Sequence, residues 1–400
     1  MTTMDSPART FPFSTPDRFD IDPFFAQLRA EEPVSRITLP FGGDGWLITR
    51  HEDVKTVLTD ARFSRAAAVS RGIPSIQPIP PIPELVMWMD PPEHTRLRKL
   101  VTKEFTTGRV EAMRPWVRET VASMLDGMVS TGQPADLVEH LSLPLPVMVI
   151  CELLGVPYAD REQFRHWSDA QMATTQFDVE AMVAAQHAMY EYFMALIAKR
   201  RADPKGDLLS ALVRAHDDGE RLSEGELVAM AITLLVTGHE TTAMEITNFT
   251  YLLLQRPEKY AALCADPSRV PRAVEEMLRY VPLDVGGSYG RIAVEDVEMG
   301  GVTIREGDAV FVSSLSANRD LAVFAHPDEL DLEREDNPHL SFGAGVHYCL
   351  GARLARMELQ EALGAIVRRF PGLSLAVPEE EIQWRKGMIV RGPFTLPVGW

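Results

Sequence analysis

Residues 223–256 are predicted to form one long apolar helix. Ser223 followed three residues later by Glu226 is typical of a capping box at a helix start. Apolar residues then recur at helical spacing until Pro257 interrupts the pattern. A helix of about 30 residues is roughly 45 Å long, which is enough to cross a whole domain. A helix this long and this apolar belongs at the centre of a large fold.

Composition indicates a large globular protein. The chain has 400 residues, 46% of them apolar, and no linker, repeat or low-complexity break, so we expect one domain over residues 1–400. A net charge of -17 argues against a nucleic-acid partner. Three cysteines favour a reducing cytoplasm over a disulfide framework. No apolar run begins the sequence, and the longest one, residues 227–236, is too short for a bilayer, so we expect no membrane anchor.

Cys349 lies in the decapeptide F-G-A-G-V-H-Y-C-L-G, residues 342–351. Gly343 and Gly345 permit unusual backbone angles, and Gly351 leaves room for a flat group beside the sulfur. A helical pattern over residues 352–370 puts the cysteine at a helix start, where the positive helix end favours a thiolate and hence a metal ligand. A buried structural cysteine is the plain alternative. A zinc site lacks further ligands nearby, and a cysteine hydrolase has no use for these glycines.

This decapeptide resembles the haem-binding signature of the cytochrome P450 family, a likeness that extends over about residues 53–399. The resemblance implies haem b as the cofactor, with Cys349 as the ligand to its iron. It also implies that Phe342, Gly343 and Gly351 contact the haem. The implied fold is mainly α (α+β): a triangular helical body with a long central helix and a small β-rich region, the haem lying between that helix and the cysteine loop.

The middle of the predicted central helix, T-G-H-E-T-T at residues 237–242, is poor helix material. Gly238 costs about 1 kcal/mol relative to Ala, and threonine hydroxyls can bond to the carbonyl four residues back and bend the axis. A packing compromise would explain such a run, but it also resembles the family's oxygen-binding groove. The resemblance makes Gly238 a cofactor contact, Thr241 the hydroxyl that holds the oxygen and Glu240 the proton supplier. Thr237 departs from the small residue usual there, and either its methyl narrows the pocket or its hydroxyl binds a polar group.

Further charged residues match family motifs. The resemblance implies that His94 and Arg98, one helical turn apart, bind the haem propionates together with Arg291 and His347. Three more residues match a structural E-x-x-R pair and the arginine that completes it, which hold the cysteine loop; they are Glu276, Arg279 and Arg334.

The substrate pocket is less well defined by sequence. Ile73, Ile76, Ile79 and Ile82 recur every third residue among prolines, so they share one edge of a polyproline II segment. That edge either packs on the surface or faces the distal pocket, where it would favour a bulky apolar substrate. A methionine series provides either an adaptable wall or core packing; it comprises Met172, Met182, Met189 and Met194. Motif positions suggest as further lining residues Thr233, Val236, Thr237, Val285, Met388 and Ile389.

The sequence resembles those of haem-thiolate monooxygenases that use O2 to hydroxylate a secondary metabolite of polyketide or peptide type. Epoxidation, oxidative coupling, or a non-catalytic haem- or partner-binding role on the same fold are the alternatives. Since no flavin or nicotinamide motif is present, we expect a ferredoxin and a ferredoxin reductase to supply electrons. A basic docking patch is predicted from Arg96, Lys99, Lys103, Arg353 and Arg356.

Overall fold

The computed structural model describes residues 8–15, 17–217, 222–286 and 289–400. Helices dominate these residues, as the sequence predicts. They are α1 (Phe24–Glu31), α2 (His51–Thr59), α3 (Arg65–Arg71), α4 (Glu93–Thr102), α5 (Thr107–Thr131), α6 (Pro144–Leu154), α7 (Arg161–Gln171), α8 (Val179–Ala202), α9 (Leu208–Asp217), α10 (Glu224–Leu254), α11 (Pro257–Ala265), α12 (Val270–Tyr280), α13 (Ser314–Ala317) and α14 (Ala352–Arg369).

The strands form a smaller β region. They are β1 (Arg9–Thr10), β2 (Val34–Leu39), β3 (Gly43–Ile48), β4 (Phe63–Ser64), β5 (Ala135–Asp136), β6 (Arg291–Ala293), β7 (Val297–Met299), β8 (Val302–Ile304), β9 (Ala309–Val312), β10 (Ser374–Leu375) and β11 (Pro397–Gly399). Six of them form a mixed sheet in the order β1-β2-β3-β9-β6-β4. A three-stranded sheet, β10-β11-β5, joins the chain end to the segment after α5, and β7 pairs with β8.

Helix α10 crosses the centre of the molecule. The predicted capping box is confirmed, because the Ser223 hydroxyl accepts the Glu226 N–H and the Glu226 carboxylate accepts the Ser223 N–H. Nearly every residue from Leu227 to Leu253 is buried, and the helix packs against α6, α8 and α14. Its length and hydropathy would suit a membrane span, but 78% of the most apolar window is buried inside the protein. It is therefore the core helix that the sequence predicts.

Cys349 lies in a loop, three residues before α14 begins at Ala352. A short 3-10 turn, Gly345–His347, precedes the cysteine. Gly345 adopts φ +69° and lies so close to α2 that a Cβ would stand 2.7 Å from the Leu58 carbonyl oxygen. Only glycine fits this position without strain, since both the backbone angle and the space exclude a side chain.

Glu276 of α12 is the centre of a buried ion network. Its carboxylate accepts from Arg279 at 2.7 and 2.8 Å and from Arg334 Nε at 3.0 Å. Arg279 also donates to the carbonyls of Asn318 and Pro327, at 2.8 and 2.7 Å. These bonds tie α12 to residues 318–334, which lead into the cysteine loop. The three side chains named from sequence therefore meet, and their contacts are consistent with a structural role.

Replacing the central carboxylate should destabilise the fold strongly. In Glu276→Gln, both arginines remain buried without their anion, so we expect a loss of about 3 to 5 kcal/mol in the free energy of unfolding. Urea denaturation followed by circular dichroism measures this. The matched control is Glu333→Gln, which removes a half-exposed partner of Arg269 and should cost about 1 kcal/mol or less. Equal costs for the two variants would contradict the structural role.

Candidate active site

Backbone hydrogen bonds hold Cys349 in position. Its N–H donates to the Phe342 carbonyl at 2.9 Å, which closes the loop on itself. A Cβ added to Gly343 or Gly351 would meet nothing within 4 Å, so open space lies beside both glycines. This agrees with the room for a flat group that the sequence predicts there.

The expected thiolate is not favoured by the protein alone. Cys349 is exposed to solvent, but protein atoms crowd its surroundings, and this desolvation raises the pKa of the thiol above its usual value. The N–H groups of Gly351 and Ala352 and the charges of Arg98 and Arg356 act in the opposite direction without outweighing burial. The N–H groups at the start of α14 thus act in the direction that the sequence predicts, against the effect of burial.

Five basic side chains gather beside the cysteine loop. The rings of His94 and His347 lie 4.3 Å apart between centroids. Burial, with help from Arg98 and Arg65, lowers the pKa of His94 to about 4. Burial and the same basic neighbours lower the pKa of His347 to about 2, and the pKa of the Arg291 guanidinium also falls well below its usual value. The structure thus brings together all four residues predicted to bind propionates.

Arg65, the first residue of α3, is a member of this cluster that the sequence did not reveal. It donates to the Met87 carbonyl at 2.8 Å, and burial lowers its pKa to about 10. A single arginine at a helix start carries no motif, so only the fold identifies it.

Several polar atoms of the cluster are buried without a partner among the described residues: His94 Nδ1, Arg65 Nε and Arg291 Nη2. Buried donors and cations of this kind need anionic acceptors. A group that carries two carboxylates, such as haem b, fits this cluster.

Thr237 and Thr241 lie one helical turn apart on α10. The hydroxyls of Thr237 and Thr241 donate to the carbonyls four residues back, at 2.7 and 3.1 Å. These are the bonds that the sequence predicts for the threonines, and the helix remains continuous through residues 224–254. Gly238 packs against α6. A Cβ there would stand 2.9 Å from Ile150 Cδ1, so Gly238 allows the close approach of α6.

Glu240 takes part in a buried ion network. Arg385 donates to both Glu240 and Asp169 of α7, and His239 Nε2 lies 3.8 Å from Glu240 Oε2. Burial alone would raise the pKa of Glu240, but the charges of Arg385 and His239 outweigh it and hold that pKa below its usual value. The carboxylate therefore links α10 to α7 and to the C-terminal segment. Neither Arg385 nor Asp169 carries a recognisable motif in the sequence.

A cavity that is partly open to solvent lies between α10 and the segment before α4. The predicted residues Thr233, Val236 and Thr237 line it. All four periodic isoleucines line it as well, which decides between the two interpretations of the polyproline segment. The Gln77 amide fixes this segment by donating to the carbonyls of Gln171 and Ala173, at 3.0 and 2.9 Å.

Three residues predicted to line this cavity lie outside its wall. Val285 donates its N–H to the Ile389 carbonyl at 3.0 Å, and Ile389 donates to the Met172 carbonyl at 2.7 Å. Met388 pairs with Ala173 in an isolated β-bridge. These backbone pairings bury Met388 and Ile389 in the core instead.

The predicted methionine series also lies partly on the cavity wall and partly in the core. Met172 and Met189 line the cavity, Met182 is fully buried in the core, and Met194 packs against that core. Helical core packing accounts for part of the series, as the plain alternative expected.

The predicted docking patch is partly wrong. Arg96 pairs with Glu226, and Arg356 pairs with Glu275 at 2.7 Å while its guanidinium stacks on Phe342. Neither guanidinium is available to a partner protein. Exposed basic side chains do remain beside the cysteine loop, at Lys99, Lys103 and Arg353.

Comparison with known proteins agrees with this geometry. A family model described as cytochrome P450 matches residues 42–273 and 268–393. The chain is 53% identical to nocardicin C N-oxygenase of Nocardia uniformis subsp. tsuyamanensis over 401 residues, which cover all of both proteins. It is 48% identical to mycinamicin IV hydroxylase/epoxidase of Micromonospora griseorubida, covering 98% of each. A solved structure, cytochrome P450mel 107F1 with biaryl coupling reactivity, superposes with TM-score 0.95 at 46% identity, covering 98% of this chain and 100% of that one.

The chain therefore belongs to the cytochrome P450 family. It is a monooxygenase with haem b as cofactor, and it acts with O2, a small substrate and redox partners. Among the described residues no cluster of three or more His, Cys, Asp or Glu could hold a metal ion. The open space at Gly351 and the orphaned cations beside Cys349 suit a porphyrin that carries its own metal.

Glu275 braces the cysteine loop from α12. It accepts from Arg356 at 2.7 and 2.8 Å and contacts His339 Nε2 at 3.2 Å. Burial raises the pKa of Glu275, but the bonds from His339 and Arg356 outweigh it and lower that pKa to about 2. The folded state thus favours the carboxylate more than the unfolded chain does.

The stabilisation from Glu275 should depend on pH. Because the folded-state pKa is depressed, the contribution is complete above the ordinary value of 4.5 and is lost as pH falls from there toward about 2. The side chain is 31% exposed, so we expect a contribution on the order of 2 kcal/mol at neutral pH. The difference in unfolding free energy between wild type and Glu275→Gln should narrow as pH is lowered below about 5. Exposed Glu380→Gln is the control, and a constant difference for Glu275→Gln would refute this account.

Proposed function

We propose that this monooxygenase hydroxylates a bulky, largely apolar secondary metabolite of polyketide or peptide type. The apolar cavity between α10 and the isoleucine edge carries this proposal. Relatives named for nocardicin and mycinamicin chemistry support the substrate class. The cavity offers few charged groups, so burial of apolar surface would supply most of the binding free energy.

The roles of individual residues follow from their positions. Cys349 would bind the haem iron, and the basic cluster of Arg65, His94, Arg98, Arg291 and His347 would hold the propionates. Haem b bound in this way supplies the activation of dioxygen. Thr241 would position a hydroxyl at the distal side. Glu240 must separate from Arg385 before it can carry a proton, because the ion pair keeps it ionised.

The same site residues would also serve two other reactions. Epoxidation is supported by the hydroxylase/epoxidase relative, and oxidative coupling by the solved structure with biaryl coupling reactivity. The tethering of the isoleucine segment by Gln77 favours a pocket that holds one orientation of a single substrate, which suits hydroxylation or epoxidation better than the coupling of two molecules.

Thiolate ligation can be tested spectroscopically. The reduced wild-type protein with carbon monoxide should show the strongly red-shifted Soret band of a thiolate-bound haem. Cys349→Ser should lose that band while circular dichroism shows a retained helical fold. Cys264→Ser is the matched control and should keep the band, because Cys264 lies on α11. A red-shifted band that survives in Cys349→Ser would refute Cys349 as the ligand.

Electrons would come from a ferredoxin served by a ferredoxin reductase. The proposed docking surface consists of exposed Lys99 on α4, Lys103 just after α4, Arg353 on α14, and Val346 and Tyr348 on the cysteine loop. The bond from Arg98 to the Tyr348 carbonyl joins α4 to this loop. A local basic group on a chain of net charge -17 suits an acidic partner.

Charge reversal tests this surface. In the combined variant Lys99→Glu, Lys103→Glu and Arg353→Glu, the rate of reduction by an acidic plant-type ferredoxin should fall at least about 10-fold at low ionic strength. The loss should shrink as salt screens the charges. Lys386→Glu is the control, an exposed lysine next to Gly387, which contacts the segment after α7. If the charge-reversed variant and the wild type are reduced at the same rate, the ferredoxin docks on a different surface.

We also propose that the chain forms one domain and works in the cytoplasm. The larger of the two clusters of buried apolar residues contains residues from Phe11 to Val398, which supports a single domain. The free cysteines suit a reducing compartment.

A further inference from the structure

Gln77, within the isoleucine segment, is held by both its backbone and its side chain. Its N–H donates to the Ser75 hydroxyl at 2.9 Å, and Ser75 pairs with Phe41 in an isolated β-bridge. Its amide nitrogen donates to the carbonyls of Gln171 and Ala173, at 3.0 and 2.9 Å. These bonds join the segment to the end of α7, so the Gln77 amide has a fixed place on the cavity wall.

Both hydrogens of the Gln77 amide are already committed. An amide nitrogen only donates hydrogen bonds, and an amide oxygen only accepts them. The two partners of Nε2 are carbonyl oxygens, so the reversed orientation of the amide would set oxygen against oxygen. The orientation is therefore fixed by chemistry. Oε1 remains as an acceptor, and no described residue donates to it.

The threonines on the opposite wall of the cavity behave differently. Thr233 and Thr237 donate their hydroxyl hydrogens to carbonyls of their own helix, at 2.8 and 2.7 Å. A hydroxyl can rotate, so each threonine can turn to donate to a ligand. Other polar side chains of the wall, such as that of Gln186, can also turn and impose no preference. Gln77 alone among these four side chains is restricted to one role.

The described residues that line the cavity carry no charge. They include no Asp, Glu, His, Lys or Arg. Arg65 packs on the ring of Tyr289, with Cζ 5.7 Å from the ring centroid, and of these two residues only Tyr289 lines the cavity. An ionised ligand group would lose its hydration here without gaining a counter-charge. A carboxylate beside Oε1 would also place two acceptors together with no hydrogen between them.

We propose that Gln77 selects the substrate by its hydrogen-bond donor: Oε1 accepts from a neutral hydroxyl or amide N–H, and carboxylate-bearing compounds are rejected. This inference rests on the proposed function and narrows it to apolar metabolites with an un-ionised donor on the edge that meets Gln77. The acceptor is held in place before binding, so no ordering of Gln77 opposes association. A compound without a donor leaves Oε1 desolvated and unpaired, which is the source of the discrimination.

Matched ligands test this preference. The probes are polyketide macrolactones and cyclic dipeptides, each used as the free compound, as forms methylated at one hydroxyl or amide in turn, and as a carboxylate-bearing derivative. Titration of the ferric haem-loaded wild type, followed by the haem spin state, gives the dissociation constants. Calorimetry covers ligands that leave the spin state unchanged.

Methylation at the group that meets Gln77 should weaken binding at least about 10-fold, because it removes the donor and keeps the apolar scaffold. Carboxylate derivatives should bind at least about 10-fold more weakly than the free compounds. Free compounds that bind no more tightly than all of their methylated forms would overturn the proposal. Carboxylates that bind as tightly as the free compounds would overturn it as well.

Gln77→Leu separates the acceptor from the tether. Loss of the tether should weaken the free and methylated compounds alike, whereas loss of the acceptor should bring the ratio of their dissociation constants from at least about 10 toward about 1. Any steric effect of the methyl group persists in the variant and does not change this comparison. Gln186→Leu is the matched control, another glutamine of the cavity wall, and should retain the wild-type ratio. An unchanged ratio in Gln77→Leu would refute the role of Gln77.

Circular dichroism and the carbon monoxide band check that each variant is a folded haem protein. If Gln77→Leu fails this check, Gln77→Met takes its place, because it keeps an unbranched side chain of the same length. The comparison of free and methylated ligands on the wild type decides the donor preference without any variant.

These measurements separate the inference from the proposed function. Tight binding that ignores methylation would refute the donor preference and leave the proposed apolar metabolite in place. If no macrolactone or cyclic dipeptide binds in any form, the proposed substrate class is refuted and this inference with it.

Discussion

The burial of α10 is the constraint on which the rest of the structure depends. The helix crosses the core with apolar contacts on almost every side, so its polar residues are fixed relative to one another and to the cysteine loop. The cavity with the isoleucine edge lies against α10 at Thr233 and Thr237, and Thr241 lines the space between α10 and Phe342 of the cysteine loop. One rigid element thus sets the positions of the cavity wall and of Thr241 relative to that loop.

Buried ionic groups differ in whether the protein itself supplies their charge partners. The Glu276 network is satisfied within the protein, as is the pairing of Glu275 with Arg356. The basic cluster around His94 and Arg291 keeps buried atoms without partners among the described residues. The structural ion pairs are thus satisfied within the protein whereas this cluster is not, and the two carboxylates of haem b would complete it.

The family resemblance implied the fold class, whereas local patterns predicted α10 with its capping box, the helix after the cysteine and the shared edge of the isoleucines. Each of these local features follows from spacing within one segment. The residues that sequence analysis missed, Arg65, Arg385 and Asp169, belong to contacts between distant segments and have no local signature. The misplaced cavity residues have the same origin, because Val285, Met388 and Ile389 are held by backbone pairing between distant segments. Arg96 and Arg356, which were expected in the surface patch, form ion pairs with Glu226 and Glu275.

The proline-rich wall of the distal cavity has a consequence for how its shape is maintained. Proline fixes φ and reduces the freedom of the unfolded chain, so the segment loses little conformational entropy when it becomes ordered. A side chain exchanged along its inner edge changes the contour of the cavity at one point while the backbone path stays the same. Ligand preference can therefore diverge at Ile73, Ile76, Ile79 or Ile82 independently of the helical core and of the haem-binding loop.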